Sequence, residues 1–187
     1  NDEGETGVDS MMWGRLARNL HILEHTPLAT NQDPTIVITM NNPGGDAYHM
    51  FGMFGRLKAS RLLDGTPCPI DINAYGYLMS AATIIFQAPA FGVGKRRIHV
   101  DATMMLHYGT DGFFGHSMDF QRWGHESKRI TDKMEKIYLE IIRRKHPDFT
   151  LEKLAKMIQF DFFLNASEVV ELGLADELIE DPLSAMV

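Results

Sequence analysis

Between Ile70 and Phe86 the chain reads Ile-Asp-Ile-Asn-Ala-Tyr-Gly-Tyr-Leu-Met-Ser-Ala-Ala-Thr-Ile-Ile-Phe, and this stretch constrains the fold more than any other. Ile70, Ile72 and Ala74 alternate with Asp71 and Asn73, the period of a strand with one buried face. Gly76 supplies a turn, and Ala81, Ala82, Ile84 and Ile85 then favour a largely buried helix. Ser80 falls in the first turn of that helix. Unpaired backbone N–H groups and the positive end of the helix dipole gather there, which suits a nucleophile and the oxyanion its attack creates. The same serine can instead cap the helix, accepting a hydrogen bond from the N–H two or three residues on.

The elements around this junction alternate. Asp9-Ser10 caps a first helix with Met12, Leu16, Leu20 and Leu23 at helical spacing, ending before Pro27. Thr35 to Met40 reads as a strand, the turn Asn41-Asn42-Pro43-Gly44-Gly45 follows, and a second helix runs from about Ala47 to Leu63. Two short strands are expected at Arg97 to Val100 and Ala102 to Leu106. Glycines 109, 112 and 115 then break the chain before a long helix from about His116 to His146, stopped by Pro147. Its partial stripe of Trp123, Ile130, Met134, Ile137 and Ile141 is read first as a partner contact and second as packing on its own domain. Thr150 caps a short helix ending near Ile158, Asn165 to Glu168 has capping-box spacing, and Gly173 closes that helix before a last strand, Leu174 to Ile179. Such alternation predicts an α/β layer structure with crossover connections.

With 187 residues, 44% of them hydrophobic, the chain fits one domain spanning 1–187. A net charge of -7 argues against nucleic acid as a partner, since phosphate binding needs a basic face. The run Lys95-Arg96-Arg97 is too short to reverse that and is read as a solvated turn. The single cysteine, Cys68 between two prolines, cannot form an internal disulfide and is read as an inert thiol in a reducing compartment. The opening residues are acidic and carry no apolar run, and no stretch is long enough to cross a bilayer, so a soluble, cytoplasmic protein is expected. His21 and His25 are one helical turn apart without a third ligand, so no metal is expected, and no Walker motif is present.

Four segments in order carry a family resemblance. Asn42-Pro43-Gly44-Gly45 is similar to a Ser-Pro-Gly-Gly loop, and Gly76-Tyr77-Leu78-Met79-Ser80-Ala81-Ala82 resembles Gly-x-Ala-x-Ser-Met-Gly around a nucleophile. Met104-Met105-Leu106-His107 is similar to the Met-Ile-His that carries a catalytic histidine. Asp161-Phe162-Phe163-Leu164-Asn165-Ala166-Ser167-Glu168, with Val170 to Asp176, matches an ending of the form Asp-x-x-Leu-Ser-Ala-x-Glu-Ala-x-x-Tyr-Gly-Leu-x-Asp. Together they resemble the proteolytic subunit of the Clp protease family (ClpP, peptidase S14), most closely the divergent Clp-like proteases of bacteriophages.

The resemblance implies a serine endopeptidase with Ser80, His107 and Asp161 as catalytic triad and the backbone N–H groups of Gly45 and Ala81 as oxyanion hole. Taken alone, His107 also reads as a core or rim histidine and the Pro-Gly-Gly turn as a plain connection. Asp161 stands between Phe160 and Phe162, and if that segment packs inward its carboxylate needs a strong partner. The implied fold is the ClpP/crotonase-like spiral of β-β-α units with a protruding handle helix. The implied assembly is a homo-oligomer of heptameric rings that stack in pairs around a chamber. Unfolded polypeptides are the implied substrates, an AAA+ unfoldase the implied partner, and no cofactor is implied for the subunit itself.

The sequence departs from the family in three places. Gln159-Phe160 replaces a Glu-Arg pair, almost nothing stands where axial loops usually precede Gly7-Val8-Asp9, and Ala81-Ala82 replaces Met-Gly. A catalytically silent ring or scaffold subunit is therefore a second reading. A crotonase-type acyl-CoA enzyme, sharing the spiral and a two-amide oxyanion hole, is a third.

Overall fold

The chain is described by a computed structural model over residues 7–110, 112 and 114–180, so the ends of the 1–187 span lie outside the described residues. Helix α1 (Ser10–Glu24) starts where Asp9 accepts a hydrogen bond from the Met12 N–H at 2.8 Å. Strand β1 (Ile36–Asn42), helix α2 (Ala47–Lys58), strand β2 (Ile70–Met79) and helix α3 (Ala81–Ile85) follow. Strands β3 (Arg96–His99) and β4 (Thr103–Leu106) lead to the long helix α4 (Phe120–Lys145), then helix α5 (Leu151–Ile158). Strand β5 (Phe162–Asn165), helix α6 (Ala166–Glu171) and strand β6 (Glu177–Ile179) complete the order.

Helix α2 stops at Lys58 rather than Leu63. The chain there turns into a bridge between Arg61 and Pro67, and the Cys68 N–H bonds the Ser60 carbonyl. Cys68 is buried, and burial pushes its thiol up, which keeps it protonated and unreactive.

Strand β2 is the hub of a curled sheet. It pairs in parallel with β1 along one side; on the other, Ile72 to Ala74 pair with β3 and Tyr77 to Met79 with β4. Gly76 lies inside this strand rather than ending it, a correction to the expected turn. Met40 pairs with Ala74 but Asn42 with Leu78, so β2 carries two extra residues between them. Gly76 absorbs the excess at φ +65°, and a Cβ there would meet the Asn41 amide at 3.1 Å. Asn41 Oδ1 accepts from the Tyr77 N–H at 3.2 Å and fills the gap. Because the excess is even, Leu78 returns to the buried face already occupied by Ile70, Ile72 and Ala74.

Lys95-Arg96-Arg97 is not a solvated turn. Arg96 is buried at 5% exposure; its guanidinium pairs with Asp176 and donates to the Gln87 side chain at 2.5 Å and the Gly173 carbonyl at 3.1 Å. Arg97 bonds Asp71 at 2.7 Å and Glu177 at 2.9 Å, and Lys95 also pairs with Glu177. The run begins β3, where desolvated guanidiniums need carboxylates, and those carboxylates tie β6 to the sheet.

The stripe on α4 divides. Met134 and Ile141 are buried, Ile130 and Ile137 pack against the core, and Trp123 is exposed. Own-domain packing, the secondary expectation, therefore accounts for the stripe from Ile130 onward.

At the α1–α2 contact, buried Glu24 accepts from Arg56 Nη1 at 2.8 Å and from Ser60 Oγ. The Arg56 hydrogen bond, outweighing burial, holds the Glu24 carboxyl below the usual range. Its stabilisation is thus full above the ordinary glutamate value and is lost as the pH falls through the depressed folded value. Glu24→Ala is expected to cost about 3 kcal/mol near neutrality, the low end for a broken buried pair because Arg56 keeps some contact with water. Urea unfolding from pH 7 down to about pH 3 checks this, the variant losing part of the wild-type slope below the ordinary glutamate value of about 4.3.

Candidate active site

Ser80 ends β2 and precedes α3 with φ +52° and ψ −126°, a conformation that costs a non-glycine residue about 1–3 kcal/mol. Its N–H bonds the Met105 carbonyl at 2.9 Å, and its carbonyl accepts from the Thr83 N–H at 3.0 Å. Its side chain makes no capping bond, so the capping alternative is not what this serine does. Helix α3 has only five residues, all buried, and so carries little of the dipole expected of it. What the sharp turn does instead is aim Oγ away from the helix and toward β4.

His107 follows β4 and Asp161 precedes β5, a strand that the sequence reading lacked. Strands β4 and β5 run antiparallel with Leu106 opposite Phe162 and Thr103 opposite Asn165. Continuing that register by one residue sets His107 opposite Asp161. Their side chains meet at 3.1 Å between Nδ1 and Oδ1, and His107 Nε2 lies 2.8 Å from Ser80 Oγ. A carboxylate only accepts, so Nδ1 carries the proton and Nε2 presents its lone pair to the serine hydroxyl. The Asp161 side chain is 61% exposed and neighbouring Phe160 77% exposed, so although Phe162 packs against the core, the carboxylate does not point inward among aromatics. Strand register, not confinement among aromatics, brings carboxylate and imidazole together.

Facing this trio is the loop after β1. Asn42 Oδ1 accepts from the Gly44 N–H at 2.8 Å, a turn-forming bond whose sequence signal is an Asn two residues before a glycine. Val8 pins the loop from outside, donating to the Gly44 carbonyl at 2.7 Å and accepting from the Asp46 N–H at 2.8 Å. Gly45, between those bonds at φ +146°, has no room for a Cβ, which would fall 2.5 Å from the Val8 carbonyl oxygen. The N–H groups of Gly45 and Ala81 are spent in no hydrogen bond among the described residues.

A cleft of about 680 Å³ opens over Ser80, His107, Gly45 and Ala81. Met50, Met105, Ile130 and Met134 form its apolar wall, and Asp46, Tyr48 and Glu126 lie along its polar side. Arg129, and then the Tyr48 hydroxyl, hold the Glu126 carboxyl down to about 2. Glu126 therefore stays ionised across the working pH range.

Gly44 touches the serine turn directly. A Cβ at Gly44 would lie 2.7 Å from both Ser80 Cβ and the Met79 carbonyl oxygen, at a backbone φ of +95°. Gly44→Ala is expected to lower the unfolding free energy by roughly 2–4 kcal/mol, since strain and clash act together against backbone that cannot yield. Chemical denaturation of the purified variant measures the loss, and an unchanged midpoint would contradict this packing.

The Clp protease family model matches residues 5–182. An ATP-dependent Clp protease proteolytic subunit from Deinococcus radiodurans is 26% identical over 175 residues, covering 94% of this chain and 78% of that protein. Another, from Dehalococcoides mccartyi, is 29% identical over 150 residues, covering 80% and 68% respectively. Among solved structures, a ClpP1 mutant from Listeria monocytogenes shares the fold with a TM-score of 0.72 over 94% of this chain and 88% of that one, at 17% identity.

Proposed function

This chain belongs to the Clp protease family, and from that premise we propose that it is a serine endopeptidase in which Ser80 is the nucleophile, His107 the base and Asp161 the orienting carboxylate. The observation that carries the reading is the 2.8 Å approach of His107 Nε2 to Ser80 Oγ, beside two unspent amides. Among the described residues, no helix is long and apolar enough to cross a membrane.

In the proposed reaction, His107 Nε2 takes the hydroxyl proton as Ser80 Oγ attacks the carbonyl carbon of a peptide bond. Asp161 holds the imidazole in the productive tautomer and offsets the positive charge it gains. The carbonyl oxygen becomes an oxyanion and moves between the Gly45 and Ala81 N–H groups, each such donor being worth on the order of 100-fold in rate. The imidazolium returns its proton to the leaving amine, and water attacks the acyl-enzyme by the same route in reverse. Unfolded polypeptide is the proposed substrate, because the scissile bond must lie extended along the cleft between the methionine wall and the polar side. ATP hydrolysis would belong to a separate AAA+ unfoldase.

The resemblance to ring-forming subunits gives the start of α4 a proposed role as well. Phe114 is fully exposed and Met118 is 77% exposed ahead of that helix, a grouping that monomers rarely leave in water. We assign this end to contacts between stacked rings in the cytoplasm of a bacterial cell.

Two measurements test these assignments. A fluorophosphonate probe is expected to label Ser80, with Ser80→Ala losing both labelling and peptide hydrolysis and Asp161→Asn reducing kcat by about 10² to 10⁴-fold. A folded oligomer that stays unlabelled would instead favour the silent ring subunit. In sedimentation velocity, the double variant Phe114→Glu, Met118→Glu is expected to halve the particle mass without unfolding the subunit; an unchanged mass would remove this end of α4 from the ring contact.

A further inference from the structure

Resting on the serine-peptidase reading, we propose that α4 aligns the site from within its own subunit, with Tyr138 and Thr83 acting as positioning residues for Ser80. Tyr138 is completely buried, and its hydroxyl lies 2.5 Å from Thr83 Oγ1. Thr83 Oγ1 in turn donates to the Ser80 carbonyl at 2.5 Å, the same oxygen that already accepts the Thr83 N–H. A carbonyl cannot donate, so the single threonine proton goes to Ser80 and the phenol proton goes to the threonine oxygen. The relay therefore runs in one direction, from α4 through Thr83 to the peptide plane of the strained residue. That plane sets where Oγ points and how the next amide, Ala81 N–H, faces the cleft.

A second contact sits one helical turn away on the same face of α4. Glu135 accepts from the Tyr108 hydroxyl at 2.6 Å, and Tyr108 is the residue directly after His107. Burial, and then the Glu135 bond, push the Tyr108 phenol up to about 12, so it stays protonated as the donor. Near the start of the helix, Glu126 accepts from Tyr48 at 3.0 Å, three residues beyond Gly45. One helix thus grips, through three phenols, a near neighbour of Ser80, of His107 and of Gly45. Plain packing of α4 would need apolar side chains at these points, and a buried hydroxyl pair is costly unless each proton is used.

The test measures fluorophosphonate labelling and fluorogenic-peptide kinetics on the full chain, for wild type, Tyr138→Phe, Thr83→Val and Thr83→Ser. Labelling stoichiometry counts folded sites, and the rate constant per site reports alignment. We expect Tyr138→Phe and Thr83→Val to lower the per-site rate constant and kcat by roughly 10- to 100-fold with KM within about twofold. Thr83→Ser, which keeps the hydroxyl, is expected to recover most of the wild-type rate. Wild-type rate constants in Tyr138→Phe and Thr83→Val, or a fall in stoichiometry alone, would overturn the alignment role and reduce the pair to core packing. An unlabelled wild-type chain would sink the peptidase reading beneath it, a result distinct from either.

Discussion

Between the Met40–Ala74 and Asn42–Leu78 pairs, β2 is two residues longer than the strand beside it, and most of what matters in this molecule follows from where that excess sends the chain. The surplus is taken up at Gly76, whose left-handed backbone lets β2 leave β3 and join β4 without turning its apolar face to water. Joining β4 places the Ser80 N–H on the Met105 carbonyl, two residues before His107. Had β2 kept its register with β3, Gly76 would stand opposite Val100, the serine turn would run on past the end of that strand, and the imidazole would have no hydroxyl to face. Backbone hydrogen bonding, more than any side chain, therefore sets the first distance in the site.

How much of this is legible in the sequence depends on whether a feature is local. The capping residues Asp9, Thr150 and Asn165 act on N–H groups two or three positions away, and each is found doing so. The Pro-Gly-Gly loop and Ser80 are equally local, which is why both could be singled out from motif alone before the fold set them side by side. Lys95-Arg96-Arg97 is misread because its partners, Asp71, Asp176 and Glu177, are up to 82 positions away and nothing near the run announces them. Strand β5 is missed for a related reason: four residues of mixed exposure have no period to read, and only pairing with β4 makes them a strand. Gly76 shows the opposite error, a true break in local geometry that the sheet carries as a bulge.

The long helix combines two demands seldom placed on one element. Its later turns supply Met134, Tyr138, Ile141 and Ile142 to the core, while its earlier turns stand over the cleft and into solvent. The outer end is the one proposed above to contact other subunits, and the inner face meets the serine and histidine segments through hydroxyl bonds.

Val8 fixes the loop after β1 at a single point. Its two backbone bonds straddle Gly45 like stitches on either side of a hem, one to the residue before and one to the residue after. The Gly45 N–H between them is left facing the cleft, so its direction is set by where Val8 sits. Ser80 and His107 are seated by the sheet, whereas this amide is held by a residue that belongs to no strand, so the aim of one donor depends on how the segment leading into α1 is seated.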